Sequence, residues 1–285
     1  AARHRTHYSL GAISHRWTMV APRVAVVTGA NKGIGYHIAQ SLVHSGLFGV
    51  VVLGCRDPTR GQQAAAAIGG CAEYMPLEVG NAASADAFAE ALVARHGRCD
   101  VLVNNAGIAF KDADPTPFAE QTKPTLDVNY RGTIALTKRL LPLLQAGDDP
   151  RIVNVASMAG KLKQLQPPLQ ARFSAASLTL RELDGLVDQF EADVQAGTHQ
   201  ARGWGRSNYG LSKLALIAAT QVLGRECPDI KVNACCPGYC DTDMTSHRGP
   251  RSAHDGAQNA VMLATLPRSE LPSGAFFQNG KVSAW

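Results

Sequence analysis

Short apolar runs alternate with amphipathic stretches along most of the chain. Seven runs of strand length are rich in β-branched or aromatic residues, and they cover residues 24–28, 49–55, 73–79, 100–105, 151–157, 230–236 and 274–278. Between them, apolar residues recur at helical spacing, as at Ile34, Ile38 and Leu42 before Gly46. Most runs are apolar on both faces, which indicates strands that helices cover on each side. The pattern predicts an α/β fold with a seven-stranded parallel sheet.

One segment departs from this alternation. Residues 160–205 show helical periodicity and no strand pattern, so we predict a helical insertion there. No repeat or low-complexity linker divides the remainder, and we predict a single domain over residues 22–285. Residues 1–21 form a basic leader, with no acidic residue, that resembles a transit peptide, although Met19 is a plausible internal start. The leader is therefore interpreted as an ordered arm or a targeting remnant.

Composition and charge exclude several classes of protein. The chain has 285 residues, of which 45% are hydrophobic and 18% charged, and this balance is typical of a soluble globular protein. No apolar run approaches the roughly 20 residues of a membrane span. The net charge of +5 is thinly spread, without a Lys/Arg cluster, which argues against nucleic acid. No acidic residue precedes Asp57, so the first part of the chain favours a small phosphorylated ligand.

Cysteine and histidine spacings do not indicate a metal site. The seven cysteines lack C-x2-C pairs and the nine histidines lack H-x-x-x-H spacing, so we predict no metal. Free thiols are typical of a reducing compartment, and we predict a cytoplasmic protein. An organelle is the alternative if the leader derives from a transit peptide. Cys235 and Cys236 also suggest a redox role, but buried strand cysteines are usually inert.

A glycine-rich turn, TGANKGIG, follows the first predicted strand and opens the first predicted helix. Gly29, Gly33 and Gly35 would allow a tight turn and the close approach of a pyrophosphate to the helix N-terminus. The spacing G-x3-G-x-G differs from the general fingerprint G-x-G-x-x-G, but the position between strand and helix favours dinucleotide binding. The predicted fold is therefore doubly wound, of the Rossmann type.

The end of the second predicted strand bears on the choice of dinucleotide. NAD-binding proteins of this build usually place an acid there for the ribose 2′-hydroxyl, whereas an arginine accommodates a 2′-phosphate. The sequence reads LGCRD, with Gly54 at the position of the acid and Arg56 just beyond it. Lys32 in the glycine turn is a second candidate cation, whereas Asp57 is an acid that argues against a 2′-phosphate. We predict NADP(H).

Tyr209 and Lys213 in the stretch YGLSK would lie one turn apart on one face of a helix. A free tyrosine with a pKa near 10 is a poor proton shuttle at neutral pH. A neighbouring ammonium would stabilise the phenolate and lower that pKa. Ser157, at the carboxyl end of the fifth predicted strand, lies where open α/β sheets bind ligands, so its hydroxyl could hold an oxygen of a ligand.

These motifs together resemble the short-chain dehydrogenase/reductase family over residues 22–285. The resemblance rests on TGANKGIG, NNAG at 104–107, Asn129 in DVNY, Ser157 in NVAS, YGLSK and CCPG at 235–238. The stretches NNAGIAF, DPTPF, RFS and NACCPG resemble the NADPH-dependent carbonyl reductases within it. The resemblance implies a catalytic set made of Asn129, Ser157, Tyr209 and Lys213. In it, Asn129 would hold a water that links the lysine to solvent, and Lys213 would also bind the nicotinamide ribose.

The resemblance implies further contacts with cofactor and substrate. The implied cofactor residues are Gly29, Asn31, Lys32, Gly33, Ile34, Gly35, Arg56, Glu78, Val79, Asn104, Asn105, Tyr209, Lys213, Pro237, Gly238, Cys240 and Thr242. Asn104 and Asn105 would line the adenosine half of the site. The implied substrate residues are Ser157, Tyr209, Tyr239 and Met244. Carbonyl reductases commonly have tryptophan at the position of Tyr239, so substrate preference stays open.

The resemblance also bears on assembly and activity. Between Ser157 and Tyr209 lie 51 residues, more than in the usual family member, and carbonyl reductases with this insertion are monomeric. We expect a monomer that reduces ketones, aldehydes or quinones with NADPH. Two alternatives are an alcohol or steroid dehydrogenase that works oxidatively, and a structural subunit that docks into a larger complex through its leader.

Overall fold

A single sheet of eight strands organises the chain in a computed structural model that describes residues 22–111 and 113–285. The predicted leader at residues 1–21 lies outside the described residues. The strands are β1 Val24–Thr28, β2 Val50–Cys55, β3 Ala72–Pro76, β4 Val101–Asn104, β5 Arg151–Val155, β6 Lys231–Cys236, β7 Phe276–Gln278 and β8 Lys281–Val282. Their spatial order is β3-β2-β1-β4-β5-β6-β7-β8, and β1 to β7 are parallel.

The predicted doubly wound parallel sheet is confirmed for its seven strands, but the sheet has an eighth. Strand β8 runs antiparallel to β7 and follows it through the two-residue turn Asn279-Gly280. Both turn residues have positive φ, +48° and +74°, as hairpin turns of this length require. A two-residue strand carries no periodicity, so the sequence pattern did not predict it.

Nine α-helices cover the two faces of the sheet in residues 22–111 and 113–285. They are α1 Gly33–His44, α2 Pro58–Ile68, α3 Ala82–His96, α4 Phe118–Leu126, α5 Thr133–Gln145, α6 Pro167–Phe173, α7 Leu180–Gln195, α8 Asn208–Glu226 and α9 Ala253–Thr265. Helices α1, α2 and α9 pack on one face, and the other six belong to the core on the opposite face. Alternate strand residues enter opposite cores: Val24 and Val26 contribute to one, and Ala25 and Val27 to the other.

The predicted helical insertion consists of α6, α7 and a 3₁₀ turn at Leu162–Gln164. Helix α7 begins with a capping box, in which Thr179 and Glu182 each bond the other's backbone N–H. Near its other end, Asp193 accepts a hydrogen bond of 2.7 Å from Trp204 Nε1. Helix α7 packs on α4 and α8, and 14 of the 19 residues of α8 are buried. The insertion thus contributes to the position of the helix that begins at Asn208.

The lengths and apolarity of the helices bear on membrane association. Within residues 22–111 and 113–285, no helix combines the length and the apolarity that crossing a membrane requires.

Candidate functional site

A cleft with a volume of about 1420 Å³ lies at the carboxyl ends of the parallel strands. The glycine turn after β1, the residues that follow β2, β4, β5 and β6, and the start of α8 form its walls. Ligands of open α/β sheets bind at this edge, where the strand order reverses between β1 and β4. A volume above the usual 300–1,000 Å³ of small-ligand pockets suits a dinucleotide together with a second molecule.

The glycine turn forms the floor of the cleft. Gly29 and Gly33 have φ of +65° and +56°, a conformation that favours glycine. A Cβ on Gly35 would lie 2.4 Å from Asn105 Nδ2 and 2.5 Å from the Gly29 carbonyl oxygen, so the helix start approaches the turn too closely for any side chain. Asn105 holds this arrangement by donating to the Thr28 carbonyl oxygen at 2.9 Å. The turn is thus a backbone cradle of the kind that phosphate needs.

Two ion pairs flank the cradle. Arg56 Nη1, after β2, lies 3.7 Å from Glu78 Oε1 after β3. Lys32 in the glycine turn donates to Asp243, which belongs to the segment that follows β6. The side chains of both cations are more than half exposed, so a bound anion could reach them. The cradle and the two cations fit a dinucleotide that carries an additional phosphate.

The predicted cofactor and substrate residues all line this cleft with one exception. Asn104, the last residue of β4, is buried, and its side chain donates to Thr137 Oγ1 and Asn154 Oδ1 inside the fold. The prediction that Asn104 lines the adenosine half is therefore corrected. Successive strand residues face opposite sides, so only one of the adjacent pair can turn towards the glycine turn, and that residue is Asn105.

Tyr209 is the second residue of α8, and its position is set by the helix N-cap, where Ser207 Oγ accepts from the Gly210 N–H at 2.8 Å. One turn later, Lys213 places Nζ at 5.7 Å from the centre of the Tyr209 ring. Lys213 Nζ also donates to the Val155 carbonyl oxygen at 2.8 Å, at the end of β5. This bond fixes the ammonium beside the strand that leads into Ser157.

Ser157 has two roles in the structure. Its hydroxyl caps the 3₁₀ turn at Met158–Gly160 by accepting from the Ala159 N–H at 3.1 Å, and it lies near enough to the Tyr209 hydroxyl to lower the pKa of that group. Gly160 keeps this turn close to α8, because a Cβ there would lie 2.7 Å from the carbonyl carbon of Lys213. Neither Gly160 nor the Val155 carbonyl was predicted from the sequence, since backbone contacts leave no side-chain motif.

Asn129 lies behind the cleft wall. It belongs to a π-helical segment, Asp127–Gly132, between α4 and α5, and such segments are frequent at functional sites. Its side-chain amide accepts from Ile108 N at 2.8 Å and donates to Ile108 O at 2.9 Å and Ser212 Oγ at 3.0 Å. A Cβ on Gly107 would lie 3.1 Å from Asn129 Oδ1 and 3.4 Å from Lys213 Nζ. Asn129 and Lys213 thus flank the same glycine, while the water-holding role stays a prediction.

Comparison with known proteins decides the family. The family described as short chain dehydrogenase matches residues 23–183 and 194–253. A curated relative, carbonyl reductase [NADPH] 1 of Mus musculus, is 40% identical over 274 residues, which cover 92% of this chain and 98% of the relative. The chain belongs to the short-chain dehydrogenase family. The predicted resemblance to this family is confirmed.

Solved structures of other short-chain dehydrogenases and reductases share the fold. Salutaridine reductase from Papaver somniferum superposes with a TM-score of 0.83 at 32% identity, covering 90% of this chain and 99% of that one. The NADPH-bound carbonyl reductase from chicken fatty liver superposes with a TM-score of 0.68 at 26% identity, covering 93% and 100%. The doubly wound sheet of this short-chain dehydrogenase is thus common to reductases with different substrates in their names.

Burial dominates the proton affinities of the predicted catalytic pair. Burial raises the pKa of Tyr209 to about 12, although the hydrogen bond from Ser157 opposes the change. Burial also lowers the pKa of Lys213 to about 8. The structure places Lys213 Nζ over the Tyr209 ring, and Lys213 is not among the causes of the change in the Tyr209 pKa. The lowering of that pKa by the lysine stays a prediction.

The remaining end of the cleft contains two exposed apolar side chains and the thiol of Cys240, and Cys236, at the end of β6, lies beneath its wall. Tyr239 and Met244, the predicted substrate residues after β6, are 53% and 40% exposed. Cys236 Sγ accepts from the N–H groups of Met158 and Gly238, both at 3.3 Å, and Cys240 is buried beside Pro237. All seven cysteines are free thiols. Among residues 22–111 and 113–285, no group of three or more His, Cys, Asp or Glu could hold a metal ion.

Proposed function

We propose that this protein is an NADPH-dependent carbonyl reductase that converts ketones, aldehydes or quinones to alcohols. The observation that carries the proposal is the position of Tyr209 and Ser157 in the cleft that the glycine cradle opens. Relatives at about 40% identity carry the name carbonyl reductase [NADPH] 1, which agrees with that chemistry and with an NADP-dependent oxidoreductase. Arg56 and Lys32 would hold the 2′-phosphate, and the backbone at Gly29 to Gly35 the pyrophosphate.

The protein's own residues supply orientation and a proton. NADPH, when bound, supplies the hydride that the carbonyl carbon receives. Ser157 and Tyr209 would both donate hydrogen bonds to the carbonyl oxygen, and these bonds strengthen as negative charge develops there. Tyr209 would then transfer its hydroxyl proton to that oxygen. Lys213, fixed by the Val155 carbonyl, would place its positive charge against the phenolate that remains.

The protonation of Tyr209 agrees with reduction. Burial raises the pKa of Tyr209 to about 12, so at neutral pH its hydroxyl carries the proton that reduction needs. Oxidation of an alcohol uses the phenolate as a base, and the same residues can serve that direction.

The function is tested by measuring both directions with one substrate pair at pH 7. NADPH consumption is expected with an aromatic aldehyde and with a quinone, because Tyr209 can supply the proton that the reduced oxygen needs. A chain that reduces NADP⁺ with alcohols or steroids but consumes no NADPH with these carbonyl compounds would belong to the oxidative alternative instead.

Cofactor preference tests the predicted phosphate site. Arg56→Asp is expected to weaken NADPH binding by about 10- to 100-fold and to leave NADH little changed, because a charge-assisted hydrogen bond to phosphate is lost. The matched control is Arg60→Asp, which makes the same charge change on α2, where Arg60 pairs with Asp57 outside the cleft. Fluorescence titration with both dinucleotides measures the effect. An unchanged preference would remove Arg56 from the phosphate site.

Assembly and compartment remain predictions. A monomer is supported by the packing of α7 on α8, because this contact buries an apolar face that could otherwise meet a second subunit. The cytoplasmic location is supported by the seven free thiols.

A further inference from the structure

The segment from Cys240 to Arg251, called the cleft loop here, closes one side of the cofactor cleft. Its base is fixed by backbone hydrogen bonds from Asp241 N to Arg251 O at 2.7 Å and from Arg251 N to Tyr239 O at 3.3 Å. Its first residues lie next to the glycine turn: Lys32 donates to Asp243, and a Cβ on Gly33 would lie 3.5 Å from the Thr242 methyl group. The cleft loop is thus in contact with the phosphate cradle.

Four charged or titratable side chains connect the glycine turn to the cleft loop. Lys32 Nζ donates to Asp243 Oδ2, Asp243 Oδ1 lies 3.1 Å from His247 Nε2, and His247 Nδ1 lies 2.6 Å from Asp241 Oδ1. Each of the four side chains is more than half exposed. The Lys32 hydrogen bond is the main cause of a lowered pKa for Asp243, and the Asp241 hydrogen bond is the main cause of a raised pKa for His247. We call this arrangement the ionic chain.

The backbone of the cleft loop is shaped to hold the ionic chain. Ser246 and His247 have φ of +52° and +57°, which non-glycine residues rarely adopt. This conformation places the imidazole between the two carboxylates, and His247 N also bonds the Thr242 carbonyl oxygen at 3.0 Å. Such backbone conformations persist where the surrounding contacts fix them. The carboxylate of Asp243 is therefore held at the edge of the phosphate cradle.

This position gives Asp243 an effect on cofactor binding. Lys32 is one of the two cations at the cradle. Its ammonium group contacts Asp243, at a place where it could otherwise contact a phosphate. A phosphate that approaches Lys32 must replace this carboxylate, and a carboxylate left nearby would repel it. The contact between Arg56 and Glu78 is longer, at 3.7 Å, so the competition for Lys32 is the stronger one.

We propose that Asp243 sets the affinity for the phosphorylated dinucleotide by competing with its 2′-phosphate for Lys32, while His247 and Asp241 hold the released carboxylate. The inference rests on the proposed function, because it takes NADPH as the ligand. The competition weakens binding of NADPH and of the oxidised product alike. Where release of NADP⁺ limits the rate, as product release does in many enzymes, weaker binding would speed turnover.

Asp243→Asn tests the competition, since it keeps the shape of the side chain and removes its charge. It is expected to tighten NADPH binding about fivefold at low ionic strength, the upper range for exposed ion pairs, and to change NADH binding less than twofold. In a Lys32→Met background the same change should have no effect. The control Glu270→Gln removes one exposed negative charge from a residue outside the cleft and should leave both dissociation constants unchanged.

His247→Gln gives a second test with the opposite sign. Without the imidazole, Asp243 loses the partner that shares its negative charge, so its carboxylate competes more strongly for Lys32, and NADPH binding should weaken about twofold or more at pH 6.5, where the raised pKa keeps His247 charged. Unchanged or weaker NADPH binding in Asp243→Asn, or unchanged binding in His247→Gln, would overturn the proposal. If the unaltered protein binds NADPH no better than NADH, the proposed function itself fails. This outcome is measured on the unaltered protein, so it is distinct from a failure of the two variants.

Discussion

Tyr209→Phe is expected to lower kcat for carbonyl reduction by about 10²- to 10⁴-fold, the usual contribution of a positioned acid. The variant removes one hydroxyl and keeps the ring whose centre lies 5.7 Å from Lys213 Nζ. NADPH binding should change less than about threefold, because the glycine cradle and its cations are untouched. Stopped-flow measurement of NADPH absorbance with a saturating quinone separates the chemical step from binding.

A matched control distinguishes loss of the acid from loss of a hydroxyl in general. Tyr36 lies on α1 and does not line the cleft, so Tyr36→Phe should keep kcat within about twofold of the unaltered protein. Thermal unfolding of both variants checks that Ser157, which loses its hydroxyl partner in Tyr209→Phe, does not destabilise the fold. The proton donor is wrongly assigned if Tyr209→Phe keeps more than a tenth of the normal kcat.

The sequence predicted the sheet because each buried strand is visible as a continuous apolar run within a short stretch of residues. Val24 to Thr28 and Arg151 to Val155 are buried at every position, as continuous β-rich runs between helical stretches indicate. The spacing of Tyr209 and Lys213 predicted their common helix face for a similar reason, since residues four apart in a helix are neighbours on its surface. What local rules omit is the antiparallel β8, which pairs two residues through a hairpin and depends on β7 for its register.

Properties that depend on several distant segments were harder to predict. The pKa of Tyr209 depends on how deeply α8 is buried, and that burial comes from the 3₁₀ turn at Met158–Gly160, from β6 and from helices α4 and α7. The ionic chain joins residue 32 to residues 241–247, which only the folded topology brings together. Asn104 and Asn105 are neighbours in sequence with identical side chains, yet strand geometry directs one into the core and the other to the cradle.

The glycine cradle shows how directly packing determines binding in this fold. Gly35→Ala places a methyl group 2.4 Å from the Asn105 amide nitrogen and 2.5 Å from the Gly29 carbonyl oxygen, well inside any tolerated contact. The Asn105 amide cannot move freely, because it donates to the carbonyl oxygens of Thr28 and Gly29. Helix α1 must therefore shift away from the turn, and its N-terminal N–H groups would no longer point at the pyrophosphate.

Gly35→Ala is expected to weaken NADPH binding by about 100-fold, the loss that a misplacement of about 1 Å causes at a positioned site. Overpacking should also lower the free energy of unfolding by about 1–3 kcal/mol. Fluorescence titration and urea unfolding measure the two effects separately. Because NADH lacks only the 2′-phosphate, it should lose affinity by a similar factor, in contrast to Arg56→Asp.

Gly185→Ala is the control for the glycine change itself. Gly185 lies in the middle of α7, is exposed, and has no atom within 4 Å of an added Cβ. Alanine there should raise the free energy of unfolding by about 0.5–1 kcal/mol, because it lowers the entropy lost on helix formation, and should leave NADPH binding unchanged. If Gly35→Ala behaved like Gly185→Ala, the close approach of α1 to the turn would not be what makes this edge of the sheet a phosphate site.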